Sequence, residues 1–227
     1  MRNRDQFAFD FDDLGALMRA VHEPARGSVT TGLGRHIDSR LAATPTTMAK
    51  AKKILQDGWE IRYGPAGTGS RAIRSKKLIT IDGAYAESIE LVIKSLSHEL
   101  GHAMFPNRLP IPKKRAKFAR WHEIAKQRRA IGEGEATLSA DEAAMEARAR
   151  GITTAIRASD EHRDICDRHW RGEISRDDAR REIAETFHNR RPSSRQYSSY
   201  EEKWYKEHLA HWKRLHTEGL VKYPAPE

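Results

Sequence analysis

The sequence predicts an α+β fold in which a small antiparallel sheet is followed by a mostly helical C-terminal half. Two patterns support this prediction. Three short strand-like segments lie close together between residues 59 and 82, and the first of them alternates apolar and polar side chains. From Ala86 onward, apolar residues recur at spacings of three and four, as in amphipathic helices. A chain of 227 residues is long enough for one sizeable domain with appendages.

The sequence divides into three parts. Residues 1–45 contain several glycines and a proline that interrupt any regular pattern, so we expect a tail or linker there, with one short helix near Leu14 to Val21. Residues 46–150 are expected to form the core domain. Residues 151–227 are expected to form a helical extension that packs on this core.

The elements of the core follow in order. A helix is expected near 47–56, before Asp57-Gly58. The loop Gly64–Ser70 lacks the Lys-Ser/Thr ending of a phosphate-binding loop and does not lead into a helix, so we interpret it as a hairpin loop. The strands are expected at 59–63, 71–74 and 78–82. Helices are then expected at about 86–105, 115–130, 134–150, 158–170, 176–188 and 198–216.

Composition restricts the classes of partner. The formal net charge of +9 attracts anionic partners such as nucleic acid, anionic lipid or cell-wall polymer. The charges are nevertheless interspersed along the chain, which is typical of solvated helix faces. The single cysteine, Cys166, excludes an intramolecular disulfide and a CxxC metal site.

Membrane and export signals are not evident in the sequence. No stretch approaches the ~20 apolar residues that span a bilayer, so stable membrane insertion is not expected. The segment Phe7–Asp13 is too acidic for the apolar part of a signal peptide. We therefore expect a soluble protein made in the cytoplasm, which would need a dedicated secretion system to act elsewhere.

The motif that carries chemistry is Ser97-His98-Glu99-Leu100-Gly101-His102-Ala103 on the first long helix. His98 and His102 are four residues apart, so both imidazoles project from one side and can bind zinc together. Glu99 is offset by roughly 100° and can act as general base toward a water that zinc makes more acidic. This HExxH spacing predicts a zinc-dependent hydrolase.

A third protein ligand is needed. A metzincin would have Gly and His where Phe105 and Arg108 stand, so that class is excluded. The segment that begins Gly132-Glu133-Gly134-Glu135 opens a later helix, and its glutamates are the remaining candidates. Glu135 and Glu146 both fit the role of third ligand and are not separated by the sequence. Glu133 and Glu142 are candidates for orienting a ligating imidazole.

Four blocks of the chain resemble metallopeptidase toxin domains of bacterial polymorphic toxins and type VI secretion effectors. They are Trp59 to Gly69, Leu78 to Asp82, Leu96 to Ala103 and Gly132 to Leu138, and the resemblance covers about residues 46–150. It implies a zincin-like fold in which the sheet packs on the HExxH helix, and a gluzincin-type zinc site of two histidines and one glutamate. It also implies antibacterial action after export, a cognate immunity protein and a carrier in the secretion apparatus. The substrate would be a protein or a peptidoglycan peptide. Leu138-Ser139-Ala140 departs from the Leu-Asn-Asn that the family often has.

Other classes also carry an HExxH motif. ImmA-like regulatory proteases and SprT-like DNA-repair proteases do so, but neither accounts for the Gly-Glu-Gly-Glu-Ala block. A nucleic-acid-binding helical protein with an incidental HExxH is a further alternative, because Arg190–Tyr197 and Trp204–Lys206 interleave basic and aromatic residues. However, Trp204, His208 and Trp212 repeat at helical spacing, which favours a helix packed on the domain over a nucleic-acid interface.

A hydrolase of this type also needs a donor for the oxyanion that develops during attack on a carbonyl. Tyr197, Tyr200 and His188 are available in the C-terminal part, and the sequence does not choose among them.

Overall fold

The computed structural model describes residues 29–105, 109–152, 160–187, 190 and 197–226. Within these ranges seven α-helices and a three-stranded sheet form an α+β fold, as predicted. The helices are α1 (Arg35–Leu41), α2 (Pro45–Gln56), α3 (Ile89–Met104), α4 (Phe118–Ala149), α5 (Asp160–Trp170), α6 (Arg176–Thr186) and α7 (Tyr200–Thr217), and the strands are β1 (Glu60–Gly64), β2 (Arg71–Ile73) and β3 (Leu78–Asp82). Short 3-10 helices occupy Arg74–Lys76 and Gly83–Tyr85. None of the helices in these ranges has both the length and the apolar character to cross a bilayer.

The sheet is mixed, so the prediction of an antiparallel sheet was wrong for one of its two strand pairs. β3 lies in the centre and pairs parallel with β1, with Ile61 opposite Ile79. β2 pairs antiparallel with β3 on the other side, with Ala72 opposite Ile79. The loop between β1 and β2 is long enough to carry the chain past the position that β3 fills, so these two sequence neighbours do not pair.

The loop Gly64–Ser70 is held by a carboxylate of the chain itself. The backbone N–H groups of Gly67 and Gly69 donate to the two oxygens of Asp82, each at 2.7 Å. These hydrogen bonds, together with one from Ala84, outweigh burial and lower the pKa of Asp82. The amides that a phosphate-binding loop would offer to a ligand are therefore already used.

The main core lies between the sheet and the first three helices. Ile79 and Ile81 of β3 are fully buried and pack with the apolar face of α3. Residues 29–45 also belong to this core and are not a tail, because α1 and the segment before it bury four apolar side chains: Val29, Leu33, Ile37 and Leu41. Residues 1–28, which include the helix predicted near Leu14 to Val21, lie outside the described residues.

Helix α4 is one continuous helix of 32 residues, where the sequence predicted two helices separated near Gly132 and Gly134. Glycine in a helix costs about 1 kcal/mol relative to alanine, which is why the pair was interpreted as a break. Packing explains why the helix continues. A Cβ at position 134 would lie only 2.3 Å from the carbonyl oxygen of Arg180, so α6 crosses α4 closely because residue 134 is glycine.

The three C-terminal helices pack against α4. Cys166 of α5, Ile183 of α6 and Trp204 of α7 share one buried cluster with Leu138 of α4. Trp212 of α7 joins a second cluster near the start of α4. Because α3 packs on the C-terminal half of the same helix, α4 connects the sheet-containing core to the C-terminal helices.

Candidate metal centre and its cleft

Helix α3 is built to hold its histidines in fixed positions. The hydroxyl of Ser88 accepts a hydrogen bond from the backbone N–H of Leu91 and caps the N-terminus of α3. At the other end, the guanidinium of Arg74 donates to the carbonyl oxygen of His102, one of the carbonyls that has no partner within the helix. The apolar face of α3 is buried in the core, and His98 and His102 remain partly exposed, with side-chain exposures of 28% and 23%.

Gly101 brings α3 into close contact with α4. A Cβ at this position would lie 2.7 Å from Cα of Ala136 and 2.9 Å from the hydroxyl of Ser139. Any larger residue would force the two helices apart. The close approach places Glu133 of α4 opposite His98 and His102 of α3.

The three side chains form a compact group. Nε2 of His98 lies 3.5 Å from Oε2 of Glu133, and Nε2 of His102 lies 3.4 Å from the same oxygen. One ligand atom of each residue lies within 4.8 Å of the other two. In a tetrahedral zinc site with bonds of 2.0–2.1 Å, neighbouring ligand atoms are about 3.4 Å apart, whereas a charge-assisted hydrogen bond is about 2.7–2.9 Å long. The observed spacing therefore fits ligands of a shared cation better than hydrogen-bonded partners.

Oε2 of Glu133 gives independent support. It is buried and has no hydrogen-bond partner among the described residues, although a buried carboxylate oxygen left unpaired is costly. A cation bound between Glu133 and the two histidines would satisfy this atom. The donor set of two imidazoles and one carboxylate is also one that zinc accepts in catalytic sites, where a fourth position remains open.

The electrostatics of the group favour a negative carboxylate. Burial alone would raise the pKa of Glu133, but the imidazoles of His102 and His98 outweigh burial and hold that pKa well below its usual range. Burial alone would lower the pKa of His102, but the Glu133 carboxylate overrides it and raises that pKa. Glu133 is thus ionised and able to act as a ligand near neutral pH.

Glu99 lies beside this group and lines the same cleft. Its side chain is buried, and burial raises the pKa of its carboxyl even though His102 and His98 oppose the shift. The nearby Glu133 raises this pKa further, and a backbone hydrogen bond from Ala72 on β2 lowers it. A carboxylate with a raised pKa beside residues that could hold a metal ion is well suited to accept a proton.

The structure does not bring Glu135 or Glu146 to the histidines. Glu135 forms ion pairs with Arg176 at 2.8 Å and with Arg180 at 3.5 Å, both on α6. Glu146 accepts hydrogen bonds from the backbone N–H of Thr46, at 3.1 Å to each oxygen, at the start of α2.

Glu142, expected near the site, is also placed elsewhere and forms an ion pair with Lys50 at 2.7 Å. The reason is helical geometry. Glu135, Glu142 and Glu146 do share a face of α4, as the spacing predicted, but Glu133 lies about 200° around the helix from Glu135. Of the four glutamates, Glu133 is the one that α4 brings to the histidines of α3.

Sequence reasoning gave Glu133 a supporting role because it treated the residue as part of a helix opening. If the helix is continued through the glycines, Glu133 falls in line with Ala136, Ala140 and Ala144, at spacings of three, four and four. Such a row of small residues is typical of a face that meets another helix closely. This row was the signal in the sequence that pointed to Glu133.

His98, His102 and Glu133, the candidate metal group, open into a cleft of about 600 Å³ whose walls come from β2, α3, α4 and α7. Tyr200 of α7 lines this cleft, and its pKa is raised by burial and by the charges of Glu133 and Glu99. Its phenol therefore stays protonated and can donate a hydrogen bond. Of the other oxyanion candidates, Tyr197 is not among the residues that line the cleft, and its ring lies 5.4 Å from Nζ of Lys206. His188 lies outside the described residues.

Comparison of the chain with protein-family models, with curated proteins and with solved structures found no match.

Proposed function

We propose that this chain is a zinc-dependent hydrolase of amide bonds, a metallopeptidase or amidase. One observation carries the proposal. Two imidazole nitrogens lie 3.4 and 3.5 Å from one buried carboxylate oxygen that has no hydrogen-bond partner among the described residues, and a second buried carboxyl, that of Glu99, lies in the same cleft.

His98, His102 and Glu133 would hold the ion. When bound, zinc supplies Lewis acidity that polarises a carbonyl group and makes an attacking water more acidic. Glu99 accepts the proton of that water and delivers it to the departing amine. Because burial raises the pKa of Glu99, its carboxylate is a stronger base than an exposed one would be.

Tyr200 is the described residue best suited to stabilise the oxyanion. It enters the cleft from α7, on a different element from Glu99 on α3, and its phenol remains a donor because burial and two nearby carboxylates raise its pKa. A donor placed at the developing negative charge is among the larger contributions to hydrolysis of this kind.

The nucleic-acid alternative is less well supported by the C-terminal helix. Trp204 and Trp212 of α7 are buried, with 1% and 0% exposure, so these rings are not available to stack on bases. His208 is also fully buried. These aromatic residues pack α7 onto the rest of the protein, which favours the hydrolase proposal.

Metal analysis together with a peptide-cleavage assay tests the proposal. We expect about one zinc per chain in the purified protein, retained in Glu99→Gln and lost in His98→Ala. Cleavage of a mixed peptide library should fall about 10²–10⁴-fold in Glu99→Gln, because general-base catalysis contributes that much. Full activity in Glu99→Gln, or no stoichiometric zinc under non-chelating conditions, would show the proposal to be wrong.

We further propose that the hydrolase serves as an exported antibacterial effector with a cognate immunity protein. This role is supported by the resemblance of residues 46–150 to metallopeptidase toxin domains. Expression of the chain in a bacterial cytoplasm and, separately, in a periplasm tests it. Growth arrest in one compartment that disappears with Glu99→Gln is the expected result, and equal growth with both chains in both compartments would contradict it.

A further inference from the structure

The cleft that contains the metal group is strongly basic. Five cationic side chains line it, whereas its two acidic residues, Glu99 and Glu133, both belong to the proposed catalytic group. The cations are Arg71, Arg74, Lys94, Arg129 and Lys203.

These cations come from five separate elements. Arg71 lies on β2, Arg74 on the following 3-10 helix, Lys94 on α3, Arg129 on α4 and Lys203 on α7. Elsewhere in the sequence the charges are interspersed along helices, which is typical of solvated faces. Here the fold brings charges of one sign from distant parts of the chain to a single concave surface, where low-dielectric walls strengthen their combined field.

Several of these side chains are held in place around the cleft. The guanidinium of Arg71 donates to the carbonyl oxygen of Thr68 at 2.8 Å. Nζ of Lys203 lies 5.5 Å from the centre of the Tyr200 ring, within the range of a cation–π contact. Arg129 forms an ion pair with Glu207 at 2.7 Å, so part of its charge is compensated.

Lys94 is half-buried in the cleft wall. Its pKa is lowered by burial and by the nearby charge of Arg190, although Asp141 acts in the opposite direction. A lysine whose ammonium is disfavoured by a neighbouring cation gains stability when an anionic group enters the cleft.

We infer that the cleft binds peptides that carry carboxylate side chains close to the bond to be cleaved. This inference deepens the proposed function and rests on it for the nature of the reacting bond. An amide hydrolase acts on a peptide, and the anionic group that a peptide most commonly offers is a carboxylate. Since the cations and the metal group line one cleft, a single bound segment contacts both. The buried state of Trp204 and Trp212 favours a peptide over a nucleic acid as the anionic ligand.

Binding can be measured separately from cleavage. The probes are two rhodamine-labelled decapeptides of glycine and serine, one containing four glutamates and the other four glutamines at the same positions. The zinc-loaded full chain with Glu99→Gln binds each peptide without turnover, and fluorescence anisotropy reports the dissociation constants. We expect the glutamate peptide to bind at least about tenfold more tightly in low salt, and this preference to disappear near 0.5 M salt because exposed charges are screened.

Charge reversals locate the interaction. Lys203→Glu should weaken binding of the glutamate peptide about tenfold and leave binding of the glutamine peptide nearly unchanged. Arg71→Glu, on β2, should do the same and serves as a second variant if the first does not fold. Lys213→Glu is the matched control, because it changes the net charge equally on the same helix but lies outside the cleft and is exposed.

Three results would overturn the inference: equal binding of the two peptides, equal weakening by Lys213→Glu and Lys203→Glu, or equally tight binding of an oligothymidylate of the same charge. Cleavage is measured separately with the active zinc-loaded chain, once on linear peptides and once on peptidoglycan stem peptides. This comparison shows whether the carboxylate comes from a protein or from peptidoglycan. Preferential binding of the glutamate peptide without any cleavage that depends on Glu99 would sink the proposed function and leave the binding inference standing. Cleavage that depends on Glu99 but shows no preference for acidic sequences would overturn the binding inference and leave the proposed function standing.

Discussion

Two pairs of facing histidines among the described residues differ in what their nitrogens meet. The rings of His98 and His102 are 4.8 Å apart at an angle of 85°, and those of His122 and His208 are 5.1 Å apart at 72°. In the first pair both Nε2 atoms face the carboxylate of Glu133. In the second pair the two Nδ1 atoms face each other at 2.9 Å, so one imidazole donates a hydrogen bond to the other.

The surroundings of the two pairs differ as well. The first pair opens into the basic cleft, whereas the second is enclosed by aromatic rings, among them Phe118 and Trp121. Burial and the charge of Arg129 lower the pKa of His208 to about 3, and burial lowers that of His122. Among the described residues, only His98, His102 and Glu133 form a group that could hold a metal ion. Paired histidines alone therefore do not form a group that could hold a metal ion; the carboxylate of Glu133 completes that group beside the first pair.

The largest effect is expected from removing the carboxylate of Glu133, which faces the first pair of histidines. Glu133→Gln keeps the size of the side chain but removes the anionic ligand, so zinc affinity should fall by more than about 100-fold, since residues that only orient ligands already account for about 10–100-fold. Competition with a chromophoric chelator measures the affinity. Glu135→Gln and Glu146→Gln are matched controls on the same helix and should leave zinc affinity unchanged. Loss of zinc in either control but not in Glu133→Gln would reverse the assignment.

Much of this site could be predicted from local sequence. The spacing of His98, Glu99 and His102 fixes their positions on one helix, because helical periodicity alone brings residues four apart together. The third member could not be chosen in the same way. Glu133 is distant in sequence, and its contact depends on the close approach that Gly101 allows between α3 and α4. That approach is a property of tertiary packing.

The fold shows the same division between local and distant interactions. The alternation of apolar and polar residues predicts the strands, and the spacing of apolar residues predicts the helices. The parallel pairing of β1 with β3 depends instead on where β2 lies, which no local pattern specifies. The continuity of α4 through Gly132 and Gly134 likewise depends on the helix that crosses it. Glycine propensity predicts a break at these positions, and packing against Arg180 overrides it.

The second pair of histidines should contribute to the pH dependence of stability. The pKa of His208 is about 3 in the folded protein and near 6.5, the ordinary value of histidine, in the unfolded chain. Between these values the unfolded chain binds a proton that the folded protein excludes, so stability is present above pH 6.5 and decreases as the pH falls through this window. The slope reaches at most about 1.4 kcal/mol per pH unit.

His208→Asn tests this contribution, because asparagine can still hydrogen-bond to Nδ1 of His122 but does not titrate. Urea unfolding at pH 7.5, 6 and 5 should show a loss of stability in the wild-type chain that exceeds the loss in the variant by roughly 2 kcal/mol at pH 5. Equal slopes for the two chains would show that His208 is protonated in the folded protein, and the contrast between the two histidine pairs would then weaken.

A stability effect of the opposite sign is expected at Glu146, a buried carboxylate that is not next to histidines. Burial raises its pKa to about 7, against the hydrogen bonds from Thr46, and the neighbouring Glu142 adds to the rise. Between pH 4.5, the ordinary pKa of the side chain, and pH 7, the folded protein holds a proton that the unfolded chain has lost. The associated stability therefore disappears as the pH rises through 7. Glu146→Gln stays neutral and keeps an oxygen for the amide of Thr46. It should nearly match the wild-type chain in stability at pH 4.5 and exceed it by roughly 3 kcal/mol at pH 8, measured by urea unfolding. This sign is opposite to that of His208, and a Glu146→Gln variant less stable at pH 8 would mean that Glu146 is ionised as a cap of α2.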